Sequence, residues 1–286
     1  MANSNGILAL IFCSLLILSQ NIVAGIKVWL ISKCTTVSIS KTDAIKSFFV
    51  GSFFSQLLFS LGGDAIRGWY LYRKASNLLV VSSIVLLDRI TGFIALGCLY
   101  FGSLYGLTKI IEKSHLLSSL QLLGALCFTL IIGFLLCIVF ASKFTFSFLA
   151  PLKHLLKISK EMLCAGNKTL LILVISFAIN LSNVFVLYIA GNLYGVDLSF
   201  TNYMIVSVPA ILLSLIPITV AGWGVRESAI MVGFGFMGIS STISLSISLT
   251  FGIASIIASL PGLLFTINNP LKLKEINLKP ENFRLK

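Results

Sequence analysis

The sequence predicts an all-α polytopic membrane protein of about eight hydrophobic segments, in two inverted halves that each carry a re-entrant or broken helix. Three observations predict it. The first is composition: of 286 residues, 57% are hydrophobic and only 10% are charged, with a mean hydropathy of +1.04. Soluble domains carry about 25% charged residues because a folded surface must be wetted. A soluble enzyme, a nucleic-acid reader and a disordered tail are therefore excluded as the main body. The second is the succession of apolar runs near the roughly 20 residues that one membrane crossing needs. The third is that some runs are short or interrupted by glycine and proline, which points to a transporter's central site.

Taken in order, segment 7–26 has no basic residues before it and no small-residue cleavage site after it, so it is expected to be a retained first span. The connection 27–46 holds Lys27, Lys33, Lys41 and Lys46. Segment 46–62 is short and ends at Gly62-Gly63-Asp64, and the following connection, 64–77, holds Arg67, Arg73 and Lys74. Two basic connections on one face are expected if 46–62 enters and leaves on the cytoplasmic side. A full span, with four lysines outside, is the alternative. Segments 78–107 and 119–142 follow, then the connection 143–168 with five lysines. Within it, residues 146–163 place Phe148, Leu152, Leu155, Leu156 and Leu163 on one side and Lys153, Lys157 and Lys160 on another. That pattern predicts a helix lying in the cytoplasmic interface, lysines toward anionic headgroups.

Segment 168–193 leads to the connection 194–201, which has no basic residue and is expected outside. Segment 202–221 carries Pro209 and Pro217 and ends in Ala221-Gly222-Trp223-Gly224, and 227–238 has only about a dozen apolar residues. Both are expected to be broken or re-entrant, with Gly62, Gly63, Pro217, Gly222 and Gly224 as the breaks. Segment 243–268 closes a transmembrane domain over 1–268, and 269–286 forms a basic cytoplasmic tail. Of the 21 basic residues, 17 lie in the connections 27–46, 64–77, 143–168 and the tail, so the net charge of +12 reads as docking on an anionic leaflet, with no nucleic-acid partner.

Six charged residues stand within or beside apolar segments: Asp64, Arg67, Asp88, Arg89, Arg226 and Glu227. Each costs about 2.5–3.5 kcal/mol at the centre of a membrane helix, so their placement is selected. Adjacent residues do not face each other on a helix. Asp88 and Arg89 must therefore find partners on other elements, and Arg67 and Asp64 are the candidates by charge. Asp64, after two glycines, is expected to cap a helix, and Trp69, Tyr70 and Tyr72 to form an interfacial belt. These six either clamp hairpins as buried ion pairs or offer bidentate recognition of a phosphate. The cysteines show no CxxC pair, and Gly233-Phe-Gly235-Phe-Met-Gly238 lacks the strand context of a nucleotide loop. Neither a cofactor nor a metal is expected. Ser244, Ser248 and Gly252 recur every four residues, as do Ser255 and Ser259, which reads as small-residue helix packing.

The stretch Gly62-Gly63-Asp64-Ala-Ile-Arg67, with Leu87-Asp88-Arg89-Ile-Thr-Gly92, resembles half of the signature of the lysylphosphatidylglycerol synthase transmembrane-region family. The other half is similar to Leu215-Ile-Pro217-Ile-Thr-Val-Ala221-Gly222-Trp223-Gly224-Val-Arg226-Glu227-Ser228, followed by Ser259-Leu-Pro261-Gly262. The family often has a proline shortly before the double glycine, where this chain has Phe59-Ser60-Leu61. The resemblance implies a flippase-like domain of the cytoplasmic membrane, without the soluble aminoacyl-transferase domain. It implies movement of an anionic or aminoacylated phospholipid, or a polyprenyl-linked lipid, between leaflets, beside a transferase encoded nearby. A non-transporting scaffold for such a transferase is the alternative, and enzymatic activity is not expected, since no nucleophile–base pair stands out.

Overall fold

The computed structural model describes residues 2–58, 60–110, 115–139, 150–215, 219 and 222–268. Backbone polar groups in hydrocarbon must bond within their own segment, and the described residues answer with helices. In order these are α1 (Ala2–Ser32), α2 (Lys41–Leu57), α3 (Ser60–Ala75), α4 (Leu78–Ile110), α5 (His115–Val139) and α6 (Ala150–Cys164). There follow α7 (Asn167–Leu193), α8 (Phe200–Ser214), α9 (Val225–Gly235), α10 (Ser241–Ser259) and α11 (Pro261–Asn268). Among the described residues, four runs are long and apolar enough to cross a membrane: Gly6–Ser32, Leu78–Thr108, Asn167–Leu193 and Ser241–Ile267. The last joins α10 to α11 at Pro261, which opens α11 where no helical N–H is needed.

Local chemistry sets where the elements begin. Ser40, Ser199 and Ser240 are extended residues whose side chains accept from Asp43, Asn202 and Ile243 N–H, capping α2, α8 and α10. Serines inside the apolar helices return their hydroxyls to the preceding turn, as Ser83 does to Leu79 O (2.8 Å) and Ser176 to Ile172 O (2.9 Å). Side-chain period then decides what faces lipid. On α7, Leu170, Val174, Phe177 and Leu181 are exposed, while Ile172, Ser176, Asn180, Val184 and Leu187 are buried. A wholly apolar outer face, with the polar Ser176 and Asn180 turned inward among apolar neighbours, is the reverse of a soluble helix.

The order of elements repeats. A long helix, a hairpin of two short ones and another long helix appear as α1, α2–α3, α4 and again as α7, α8–α9, α10. Each hairpin's helices pack on each other; α1 packs on α2, α7 and α10, and α4 on α3, α7 and α8. Two cores result and both halves contribute to each: one gathers around Ile31, Leu71 and Ile84 and takes Ile172 of α7, the other around Val184, Tyr203, Phe234 and Ile247 and takes Cys13 of α1 and Tyr100 of α4.

The segment expected to re-enter over 46–62 is the α2–α3 hairpin, and its turn lies at Leu58, extended at φ −116° and ψ −170°. The double glycine is therefore not the break. Gly62 and Gly63 lie in the first turn of α3, and Asp64 lies inside the helix, not at its cap. The glycine at 63 serves a crossing: a Cβ there would stand 2.5 Å from Gly51 O and 2.7 Å from Ser55 N, both backbone atoms of α2. Gly63→Ala is expected to lower the melting point of the detergent-solubilised protein, with a loss of about 1–3 kcal/mol as for other overpacked sites. Gly102→Ala, where a Cβ meets nothing within 4 Å, should leave it unchanged. Equal melting points for the two variants would refute the close crossing.

Helix α6 turns its apolar side inward. Its apolar residues Leu155, Ile158 and Met162 are buried in the first core, against protein, while Lys157, Lys160 and Glu161 are exposed. Tyr70, expected in an aromatic belt, is likewise buried. The amphipathic pattern is the same in both settings, because a protein core and a bilayer present equally apolar surfaces. Phe148, Pro217 and the tail 269–286 lie outside the described residues.

Candidate functional site

The hairpin α2–α3 carries Asp64 and Arg67 to α4, where Asp88 and Arg89 occupy adjacent positions and so point to different neighbours. Arg67 Nη1 donates to Asp88 Oδ2 at 2.8 Å, and Arg67 Nη2 stands 3.2 Å from Asp64 Oδ1. Arg89 pairs through Nε with Asp64 Oδ2. The charge-based pairing of the four residues thus holds. A fifth member joins them: Lys27 Nζ of α1 is 2.8 Å from Asp88 Oδ1 and donates to Asp88 O at 3.1 Å. The run Lys27–Asp88–Arg67–Asp64–Arg89 ties three helices together, and its first three members are at most 7% exposed. Three cations face two carboxylates, so the chain of charges keeps one formal positive charge. Arg67 stacks over Phe48 at 5.4 Å, and its Nε is buried without a hydrogen-bond partner.

The second hairpin holds a different arrangement. Gly222 and Gly224 adopt φ +77° and +86°, a region open chiefly to glycine, and α9 starts at Val225. Here the expected break is where the backbone turns. Arg226 and Glu227, though adjacent, pair with each other: Arg226 Nη2 donates to Glu227 Oε1 at 2.6 Å. The first helical turn lets a long guanidinium fold back, and Trp223 and Phe251 sandwich it at 5.4 and 4.9 Å. Ser248 of α10 donates to Glu227 Oε1 at 3.2 Å, and Gly224 N donates to Glu227 Oε2 at 2.5 Å. The positive end of α9 is therefore met by its own acid. A Cβ at Gly252 would stand 2.7 Å from Arg226 Nη2, so the small-residue stripe of α10 makes room for this pair.

Two cavities meet the first charge chain. A groove of about 500 Å³ between α3 and α4 is lined by Trp69, Tyr72 and Val85, with Asp64 and Arg89. A larger cavity of about 690 Å³ lies among α1, α4, α5, α7 and α8, and Lys27, Arg89, Ser176, Asn180 and Asn183 line it beside an apolar wall. Arg89 lines both. Asn180 Nδ2 donates to Gly92 O at 3.3 Å, and Gln20 Nε2 donates to Asn183 Oδ1 at 2.8 Å. Among the described residues, no group of three His, Cys, Asp or Glu side chains could hold a metal ion.

Reading the sequence placed Lys27 in a loop and passed over the amides. The signal for Lys27 was its setting: apolar residues continue beyond it to Ile31, so the helix does not stop there. Gln20, Asn180 and Asn183 carry no charge and form no motif, and only the packing of α1 against α7 brings them together.

Spanning helices in a repeated long–hairpin–long order, with an arginine–carboxylate group in each hairpin, define a multi-pass membrane protein whose polar groups are gathered inside the bundle. The chain belongs to the family described as the lysylphosphatidylglycerol synthase TM region, which it matches over residues 2–262. No curated protein and no solved structure matches it.

Proposed function

We propose that the protein moves a phospholipid or a lipid-linked glycoconjugate between the leaflets of the cytoplasmic membrane, as a translocator and not an enzyme. The observation that carries this reading is the 690 Å³ cavity, which sets Lys27, Arg89, Ser176 and two amides against an otherwise apolar lining. That division suits a polar headgroup whose chains remain in the bilayer. Arg89 is common to the cavity and to the α3–α4 groove. A phosphate arriving from either side exchanges with the Asp64 carboxylate at Arg89, and the ion pair recloses behind it. Arg67 and Asp88 hold the geometry from behind, and Arg226 with Glu227 does the same work for the second hairpin.

The topology that accompanies this reading follows from parity. If α1, α4, α5, α7 and α10–α11 each cross and both hairpins return, the two long–hairpin–long units run in opposite senses. The lysine-rich connection 143–168 and the C-terminus then lie in the cytoplasm, with 1–268 as the transporting domain and 269–286 as its tail. A lipid-modifying transferase is the expected source of cargo. The test is reconstitution in liposomes holding headgroup-labelled lipids, with a membrane-impermeant quencher added outside. Quenching beyond the outer-leaflet fraction is expected only in protein-containing vesicles. No movement of any lipid in a panel would overturn the reading and favour a scaffold.

A further inference from the structure

Among the described residues, the large cavity is lined by charge of one sign only. Its charged lining residues are Lys27 and Arg89, while Asp88 sits behind Lys27 and Arg67, and Asp64 borders the separate groove. Beside the two cations stand Ser176, Asn180 and Asn183, which share one face of α7 at spacings of four and three residues. Lys27 and Asn180 converge on one point of α4: Asn180 donates to Gly92 O, and a Cβ at Gly92 would stand 4.0 Å from Lys27 Nζ. Leu126 and Leu130 of α5, more than half exposed, supply part of the apolar wall.

We infer that this cavity selects a lipid with an anionic, phosphate-bearing headgroup and excludes one whose headgroup carries net positive charge. The inference rests on the translocation reading and names the substrate class for the same site. One phosphate anion neutralises the single formal positive charge that three cations and two carboxylates leave. The serine and the two amides can accept from or donate to hydroxyls, and among the described residues no carboxylate lines the cavity to balance an ammonium. A headgroup esterified with lysine brings ammonium groups against Lys27 and Arg89, where low dielectric amplifies repulsion.

The experiment uses the full chain in liposomes with labelled phosphatidylglycerol, a polyprenyl phosphate and lysylated phosphatidylglycerol, each in turn. Phosphatidylglycerol or the polyprenyl phosphate should flip at least about tenfold faster than the lysylated lipid, and which of the two is faster identifies the source of the phosphate. Asn183→Asp keeps the acceptor that Gln20 bonds and adds a carboxylate to the cavity, so the ratio should move toward the lysylated lipid. Equal or faster flipping of the lysylated lipid by the wild type overturns the inference while leaving translocation standing. An unchanged ratio in a folded Asn183→Asp protein also overturns it. Failure to flip any lipid instead overturns the translocation reading itself.

Discussion

Asp88→Ala is expected to destabilise the protein by about 3–5 kcal/mol, because removing one partner of a buried pair leaves charge without compensation. Two cations lose their partner at once: Lys27 Nζ at 2.8 Å and Arg67 Nη1 at 2.8 Å, both at most 5% exposed. Arg67 keeps Asp64, but Lys27 has only the Asp88 carbonyl left among the contacts described. The damage should therefore trace mainly to Lys27. The double variant Lys27→Met/Asp88→Ala should be more stable than Asp88→Ala alone, a sign of coupling that only the full mutant cycle reveals. Thermal unfolding in detergent of wild type, both single variants and the double variant measures it. A double variant less stable than Asp88→Ala would show that the lysine is not held by this carboxylate.

Arg89→Gln should do the opposite: spare the fold and slow the flipping proposed above. The Arg89 side chain is 32% exposed, and Asp64 retains Arg67 when it is lost. A pair this accessible contributes at most about 1 kcal/mol to stability. A charged hydrogen bond to a transported phosphate contributes about 1.5–3 kcal/mol, so flipping should fall by about 10- to 100-fold. Arg89→Lys should fall between, since it restores the charge but not the planar fork. Initial rates in proteoliposomes at matched protein density decide the matter. Wild-type rates in a folded Arg89→Gln protein would remove Arg89 from the headgroup path.

These two residues are adjacent in the chain, and their contrast shows where reading stops. That both needed partners on other elements followed from their rarity in an apolar segment and from helix geometry. The complementary pair at 64 and 67 followed from charge. Which of them is sealed and which is reachable did not follow, because burial depends on how α1 and α3 pack around α4. The hairpin over 46–62 was legible from its basic flanks on both sides. Its turn was placed at the glycines, where a break is the usual reason for two in a row, but Gly63 is spent on contact with Gly51 and Ser55. At Gly222 and Gly224 the usual reason held, and the backbone there is left-handed. Ser248 looked like a packing residue and is one, yet its hydroxyl also donates to Glu227. Spacing reports that a face is small, not what lies across from it.

By itself the sequence determined the all-α class, the long spans and interrupted hairpins, the family, and the six charges that a bilayer makes costly. Those follow from properties local to a segment: length, apolar content, and the energy of a charge in hydrocarbon. Only the tertiary structure decided that Lys27 belongs with the buried charges and the amphipathic helix packs on protein. It alone placed uncharged amides from α7 beside two cations from α1 and α4. Such groupings arise from contacts between residues far apart in the chain, and no period or motif within one segment encodes which distant face it will meet. The net positive charge that composition distributes among the connections thus has a counterpart inside the bundle, where packing leaves one positive charge that two carboxylates do not cancel.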